Sequence, residues 1–120
     1  MNKGDLAVQY KRGMNCCQAV LCAFKDELHS DETTLRRLGA NFGAGMGTMG
    51  ATCGALVGAQ MVMGLMGNQR ARLVYAEFER RCGSTICKEL KGVETGKMLC
   101  SCDECVRRAA QIVAEQLAPI

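Results

Sequence analysis

GAGMGTMGATCGALVGAQMVMGLMG, residues 43–67, carries no charged side chain and holds Thr52-Cys53-Gly54-Ala55-Leu56-Val57-Gly58 at its centre. A helix that is apolar on nearly every face is buried on every face. The run therefore predicts a core helix over about 51–66, passing through Ala55, Ala59, Val62, Met63 and Met66 to stop at Gly67. Gly50, Gly54 and Gly58 recur every four residues, which places three positions without side chains on one helical stripe where a second backbone can approach. Glycine inside a helix costs about 0.5 to 1 kcal/mol relative to alanine, so close packing or access must offset the stripe. Thr52 reads as the N-cap and Cys53 as the first helical residue, with unpaired N–H groups and the positive end of the helix dipole beside its sulfur. That placement favours thiolate over thiol. The five methionines of the run, Met46, Met49, Met61, Met63 and Met66, read as adaptable packing, and they form no organised copper-binding pattern.

Outward from this helix the other segments are amphipathic. Asp5 to Arg12 sets Leu6, Ala7 and Tyr10 at helical spacing and ends at Gly13. Asn15 caps a second helix whose apolar stripe is Met14, Cys17, Leu21, Phe24 and Leu28, down to about His29. Cys17 falls on that stripe and reads as core, whereas Cys16, at the first helical position, reads as a candidate site residue. Ser30 or Asp31 caps a short third helix with Leu35 and Leu38 on its buried side and Gly39 at its end. Phe42 to Gly47 is too glycine-rich for regular structure and brings backbone to the mouth of the core helix. A phosphate cradle there lacks the preceding β-strand and the Walker lysine that its chemistry needs.

Beyond the core helix, Asn68 to Cys82 is a charged helix with Val74 and Phe78 inward and its arginines in water. Gly83 ends it, and Ser84 opens a short helix, Thr85 to Leu90, with Cys87 as its third residue. Gly92 to Gly96 is a loop. Ser101 caps the last helix, whose stripe of Cys102, Val106, Ala109, Val113 and Leu117 runs until Pro119. The expected fold is all-α, a compact bundle of about five to six helices around the Gly/Met-rich core helix. At 120 residues the chain forms a single cysteine-rich helical domain, 1–120, that buries about two-thirds of its unfolded surface.

Charge and composition exclude several function classes. The net charge is +3, but Arg36-Arg37, Arg80-Arg81 and Arg107-Arg108 are interleaved with acids, and aromatic residues make up only 4%. Neither a cationic stripe nor base-stacking platforms exist for nucleic acid. Leu38 to Gln69 is long enough to cross a bilayer, yet Asn41, Thr48, Thr52, Gln60 and the clustered glycines interrupt it, so no membrane span is expected. Nine cysteines, an odd number, follow an N-terminus without an apolar signal core. A reducing cytoplasm is the expected location, where clustered cysteines serve metal ligation or thiol redox chemistry.

Cys16, Cys53, Cys87 and Cys102 each fall in the first turn of an expected helix, behind an Asn, Thr or Ser cap. Cys100, Cys102 and Cys105 form a C-x-C-x-x-C cluster, and a C-x-x-C at a helix start can act as a redox pair. No βαβ context supports a thioredoxin. His29, alone at the end of a helix, reads as a charge partner and not a ligand.

At these residues the chain resembles a known family. Asn15-Cys16 with Gln18-Ala19-Val20, Phe42 to Gly47, Cys53-Gly54-Ala55-x-x-Gly58, Gly83-Ser84-x-x-Cys87 and Cys102 before Val106-Arg107 resemble the C_GCAxxG_C_C family of redox-active proteins. The resemblance implies four shared cysteines, Cys16, Cys53, Cys87 and Cys102, with Cys100 and Cys105 competing for the last place. A similar domain occurs in split-Soret cytochromes, where a cysteine-ligated iron–sulfur centre has been proposed, so the resemblance keeps metal ligation open. Haem attachment does not carry over, because the chain has no C-x-x-C-H.

Three functions compete. The first is thiol–disulfide electron transfer by Cys16, Cys53, Cys87 and Cys102 with a small molecule or a redox partner protein. In the second, the same four thiolates, with Cys105 as a substitute, hold an iron–sulfur cluster or zinc. The third is a helical interaction domain with mostly structural cysteines. Gly54 and Gly58 would serve any cofactor only through close backbone approach, and the stripe they share serves packing within the chain or in a homodimer.

Overall fold

Glycine decides how the two central helices meet. The structure, a computed structural model, describes residues 1–118. In α5 (Gly54–Leu65) a methyl group on Gly54 would stand 2.7 Å from the Phe42 carbonyl oxygen, and one on Gly58 would stand 2.8 Å from the Cys17 carbonyl oxygen. Both are far inside van der Waals contact, so α5 lies directly on the backbone of α2 (Cys16–Ala23) at Gly58 and on that of the Phe42 loop at Gly54. The stripe is used within the chain. Gly50 is not part of it: it precedes α5, is exposed, and would meet only the Thr48 hydroxyl.

Around this pair stand α1 (Lys3–Lys11), α3 (Lys25–Leu28), α4 (Glu32–Gly39), α6 (Ala71–Cys82), α7 (Cys87–Lys91) and α8 (Cys102–Leu117). The protein is all-α, with no β-strand among the described residues. α8 packs across α1, α2, α5 and α6, and α1 also rests on α2. The core they enclose includes Phe24, Leu21, Leu35, Leu56, Met63, Phe78, Val106 and Ile112, all essentially without solvent access. Eight helices exceed the five or six expected, because the second apolar stripe is cut at Phe24 into α2 and the single turn α3. His29 closes α3 in a left-handed conformation (φ 52°).

Caps explain most helix starts. Asn15 accepts from the Gln18 amide at 2.8 Å while Gln18 Oε1 accepts from the Asn15 amide at 2.9 Å, a reciprocal capping box that opens α2. Asp31 caps α4 through Thr34, and Ser101 caps α8 through Glu104. Leu38 corrects an expectation: it points outward at 42% exposure, and Leu35 alone of that pair is core. The end of the last stripe at Pro119 lies outside the described residues.

The core helix begins later than expected. Thr52 does not cap it but pairs in an isolated bridge with Ile86, and the Cys53 amide donates to the Thr85 carbonyl at 2.7 Å. Cys53 is itself the N-cap, in extended conformation. The preceding glycines form one π-helical turn, Gly45–Met49, interrupted by left-handed Met46 and Gly47. Gly45 must lack a side chain, because its φ is 58° and a methyl group would come within 2.8 Å of Cys87 Cβ. This turn seats the loop against α7. α7 likewise starts at Cys87, behind Ile86, instead of at Thr85, because the Cys87 amide is held by the Ala51 carbonyl at 3.0 Å.

Candidate functional site

Helix starts α2, α5, α7 and α8 converge, and their cysteines line one cavity of about 150 Å³ with Lys11, Asn15, Ala44, Gly54 and Lys91. Cys16, Cys53, Cys87 and Cys102 all contribute to its wall. Gly54 borders the cavity, whereas Gly58 lies a turn further along α5 against Cys17. Of the C-x-C-x-x-C residues only Cys102 lines it. Cys100 and Cys105 face another group described below.

Each sulfur has a different electrostatic setting. The neighbouring Cys102 thiol, with burial and the neighbouring Cys53, pushes the Cys16 thiol far above the ordinary range. The neighbouring Cys16 lowers Cys102, against its partial burial, and the charges of Lys91 and Lys11 add to the lowering. The two thiols are therefore shifted in opposite directions, Cys16 up and Cys102 down. Cys53 is raised by its hydrogen bond to Cys105 and by burial, and the Ala55 amide at the start of α5 only partly opposes this. Cys87 is raised by burial. Helix-start placement alone thus does not favour thiolate at Cys16, Cys53 or Cys87. A helix terminus supplies about 0.3 to 1 kcal/mol, less than one pKa unit, whereas burial can supply several units.

Lys91 is the residue that sequence reading passed over. It sits one turn after Cys87 in α7, so both face the cavity. Its burial works against its charge, yet Cys105, Cys102 and Cys53 raise it above the ordinary lysine range. Nζ donates to the Cys100 carbonyl at 3.2 Å and to Cys105 Sγ at 3.6 Å. The i, i+4 spacing of Cys87 and Lys91 was the available signal.

The second group is Cys82, Cys100 and Cys105, whose sulfurs all lie within 4.8 Å of one another, a spacing that could hold a metal ion. It is the only set of three or more Cys, His, Asp or Glu ligand atoms so close among the described residues. Cys17, beside Met61 Sδ at 3.8 Å, and Cys22 remain in the core.

An all-α bundle with thiols gathered at its helix starts defines a cysteine-rich helical protein. The profile of the family described as "Putative redox-active protein (C_GCAxxG_C_C)" matches residues 14–116, and the chain belongs to that family. No curated protein and no solved structure matches it.

Proposed function

We propose that the protein carries electrons by thiol–disulfide exchange at Cys16 and Cys102. The observation that supports this reading is that Cys16 and Cys102 share one cavity wall with Lys91 and Lys11, whose charges lower the Cys102 thiol. Thiolate is the attacking form, and half-buried Cys102 is the most exposed of the nine cysteines. In the first step Cys102 sulfur attacks a disulfide of a small molecule or partner protein, forming a mixed disulfide and releasing one thiolate. Cys16 then gives up its proton to the departing sulfur and attacks Cys102, closing Cys16–Cys102 and releasing the second thiol. The substrate gains two electrons and one proton from the protein, whose thiol–thiolate pair becomes the disulfide, and the first released thiolate takes its proton from solvent. Lys91 and Lys11 hold the Cys102 thiolate between turnovers, and a reducing cytoplasm would return the dithiol state.

A second reading rests on the cavity itself, since four thiols surround more space than a dithiol needs. One tetrahedral zinc requires its sulfurs about 3.8 Å apart at Zn–S of about 2.3 Å. No three of the cavity sulfurs are mutually within 4.8 Å, so the four do not fit a single zinc. An all-thiolate donor set with two lysines to balance its charge fits an iron–sulfur cluster, which Cys16, Cys53, Cys87 and Cys102 would hold and which would supply one-electron transfer. One experiment separates the readings. Protein purified without oxygen is assayed for metal and visible absorption, then challenged with 2-hydroxyethyl disulfide. Exchange predicts a metal-free protein, two thiols lost, a Cys16–Cys102 bridge by mass spectrometry, and a trapped mixed disulfide at Cys102 in Cys16→Ser. Stoichiometric iron with a charge-transfer spectrum, or unchanged reactivity in Cys102→Ser, would sink it.

A further inference from the structure

Cys82 closes α6, Cys100 lies in the turn before α8, and Cys105 sits in the first turns of α8. Their relative exposures are 3%, 4% and 0%, and none lines the cavity of the preceding site. No carboxylate or imidazole belongs to the set. Two cations are turned on it. Arg108 Nη1 stands 3.6 Å from Cys100 Sγ, and the charge of the neighbouring Cys82 favours the guanidinium. Lys91 Nζ stands 3.6 Å from Cys105 Sγ, its other donor contact here being the Cys100 carbonyl. Arg108 further donates to the Arg81 carbonyl and lies 3.9 Å from Glu104 Oε2.

We propose that Cys82, Cys100 and Cys105 form a second site, adjoining the cavity through Lys91, that binds copper(I) through three thiolates. Three observations converge on this ion. The donor set is purely soft sulfur, which selects copper(I), zinc or iron–sulfur centres over harder cations. Structural zinc is four-coordinate, and no fourth ligand atom joins the three within the same reach. Copper(I) with three thiolates carries a net charge of −2, which Lys91 and Arg108 together balance; a divalent ion would leave one cation in excess. Binding displaces the three thiol protons to solvent and changes no oxidation state. Deep burial without nitrogen or oxygen ligands disfavours the tetragonal copper(II) state.

The test uses the full chain carrying Cys16→Ser and Cys102→Ser, so that copper held by the exchange pair is removed from the count. Copper(I) is titrated without oxygen against bathocuproine disulfonate. One retained equivalent with three sulfur neighbours by X-ray absorption is expected. Adding Cys100→Ser should abolish that retention. Arg108→Gln leaves every sulfur in place and should weaken retention by about tenfold to a hundredfold, as outer-shell changes at metal sites do. If Cys100→Ser loses its helical circular dichroism, the Arg108→Gln result decides. Failure of the parent variant to retain copper, unchanged affinity in Arg108→Gln, full retention in folded Cys100→Ser, or equal retention of zinc each overturns the proposal. The outcome is independent of exchange at Cys16 and Cys102.

Discussion

Cys102 and Cys16 show how two helix-start thiols can differ in their setting. Both begin helices, yet only Cys102 is partly exposed, and the charges of Lys91 and Lys11 lower its thiol. Its reactivity should therefore persist at pH values well below the ordinary thiol range near 8.5. Alkylation by iodoacetamide, mapped by mass spectrometry across pH, should label Cys102 first and leave Cys53 and Cys87 slow. Lys91→Met removes a charge that lowers Cys102, so the alkylation profile should move to higher pH. A profile that stays in place would mean that Lys91 does not hold the thiolate. At this scale the sequence was readable only in part. The caps Asn15 and Ser101 announced Cys16 and Cys102, but Lys91 acts on sulfurs at the starts of α5 and α8 that local spacing cannot relate.

At the scale of the helices, glycine position matters more than glycine number. Gly58 faces the α2 backbone, and an added methyl would meet the Cys17 carbonyl oxygen at 2.8 Å, an atom that cannot swing aside. Gly58→Ala should destabilise the protein by about 1 to 3 kcal/mol as an overpacking change. Gly64 lies in the same helix with nothing within 4 Å of its missing methyl, so Gly64→Ala should stabilise by about 0.4 to 1 kcal/mol. Urea denaturation of the two variants checks the pair, and equal effects would show that α2 and α5 are not in backbone contact. The four-residue repeat of Gly54 and Gly58 was visible in the sequence because helical spacing puts them on one face. Gly50 shared the repeat without sharing the face, since the bridge between Thr52 and Ile86 delays the helix start to Gly54.

For the whole molecule the buried thiols set a limit at alkaline pH. Burial, with the neighbouring Cys53, pushes Cys17 up to about 12, and burial, with Glu32, pushes Cys22 up to about 11. In the unfolded chain both ionise near the ordinary value, so above that pH the unfolded state binds fewer protons than the folded one and stability falls as pH rises. The contribution is complete below about pH 8.5 and is lost through about 11 for Cys22 and about 12 for Cys17. Urea midpoints under reductant should therefore fall between about pH 8 and about pH 10.5, and Cys22→Ala should lessen the fall. Identical slopes in the two proteins would assign the loss to other groups. No helix is long and apolar enough to cross a membrane among the described residues. The sequence by itself determined the all-α class, the buried core helix, the caps at Asn15 and Ser101, and the family, because periodicity, capping and short motifs act over a few residues, while it left the α4 cap between Ser30 and Asp31. Only the tertiary structure decided that Cys53 is a cap residue, that Cys102 shares a cavity with Cys16 while Cys105 does not, and that Cys82 joins Cys100 and Cys105. Those outcomes depend on helix packing and burial, in which residues far apart in the chain set the distance and dielectric around each sulfur.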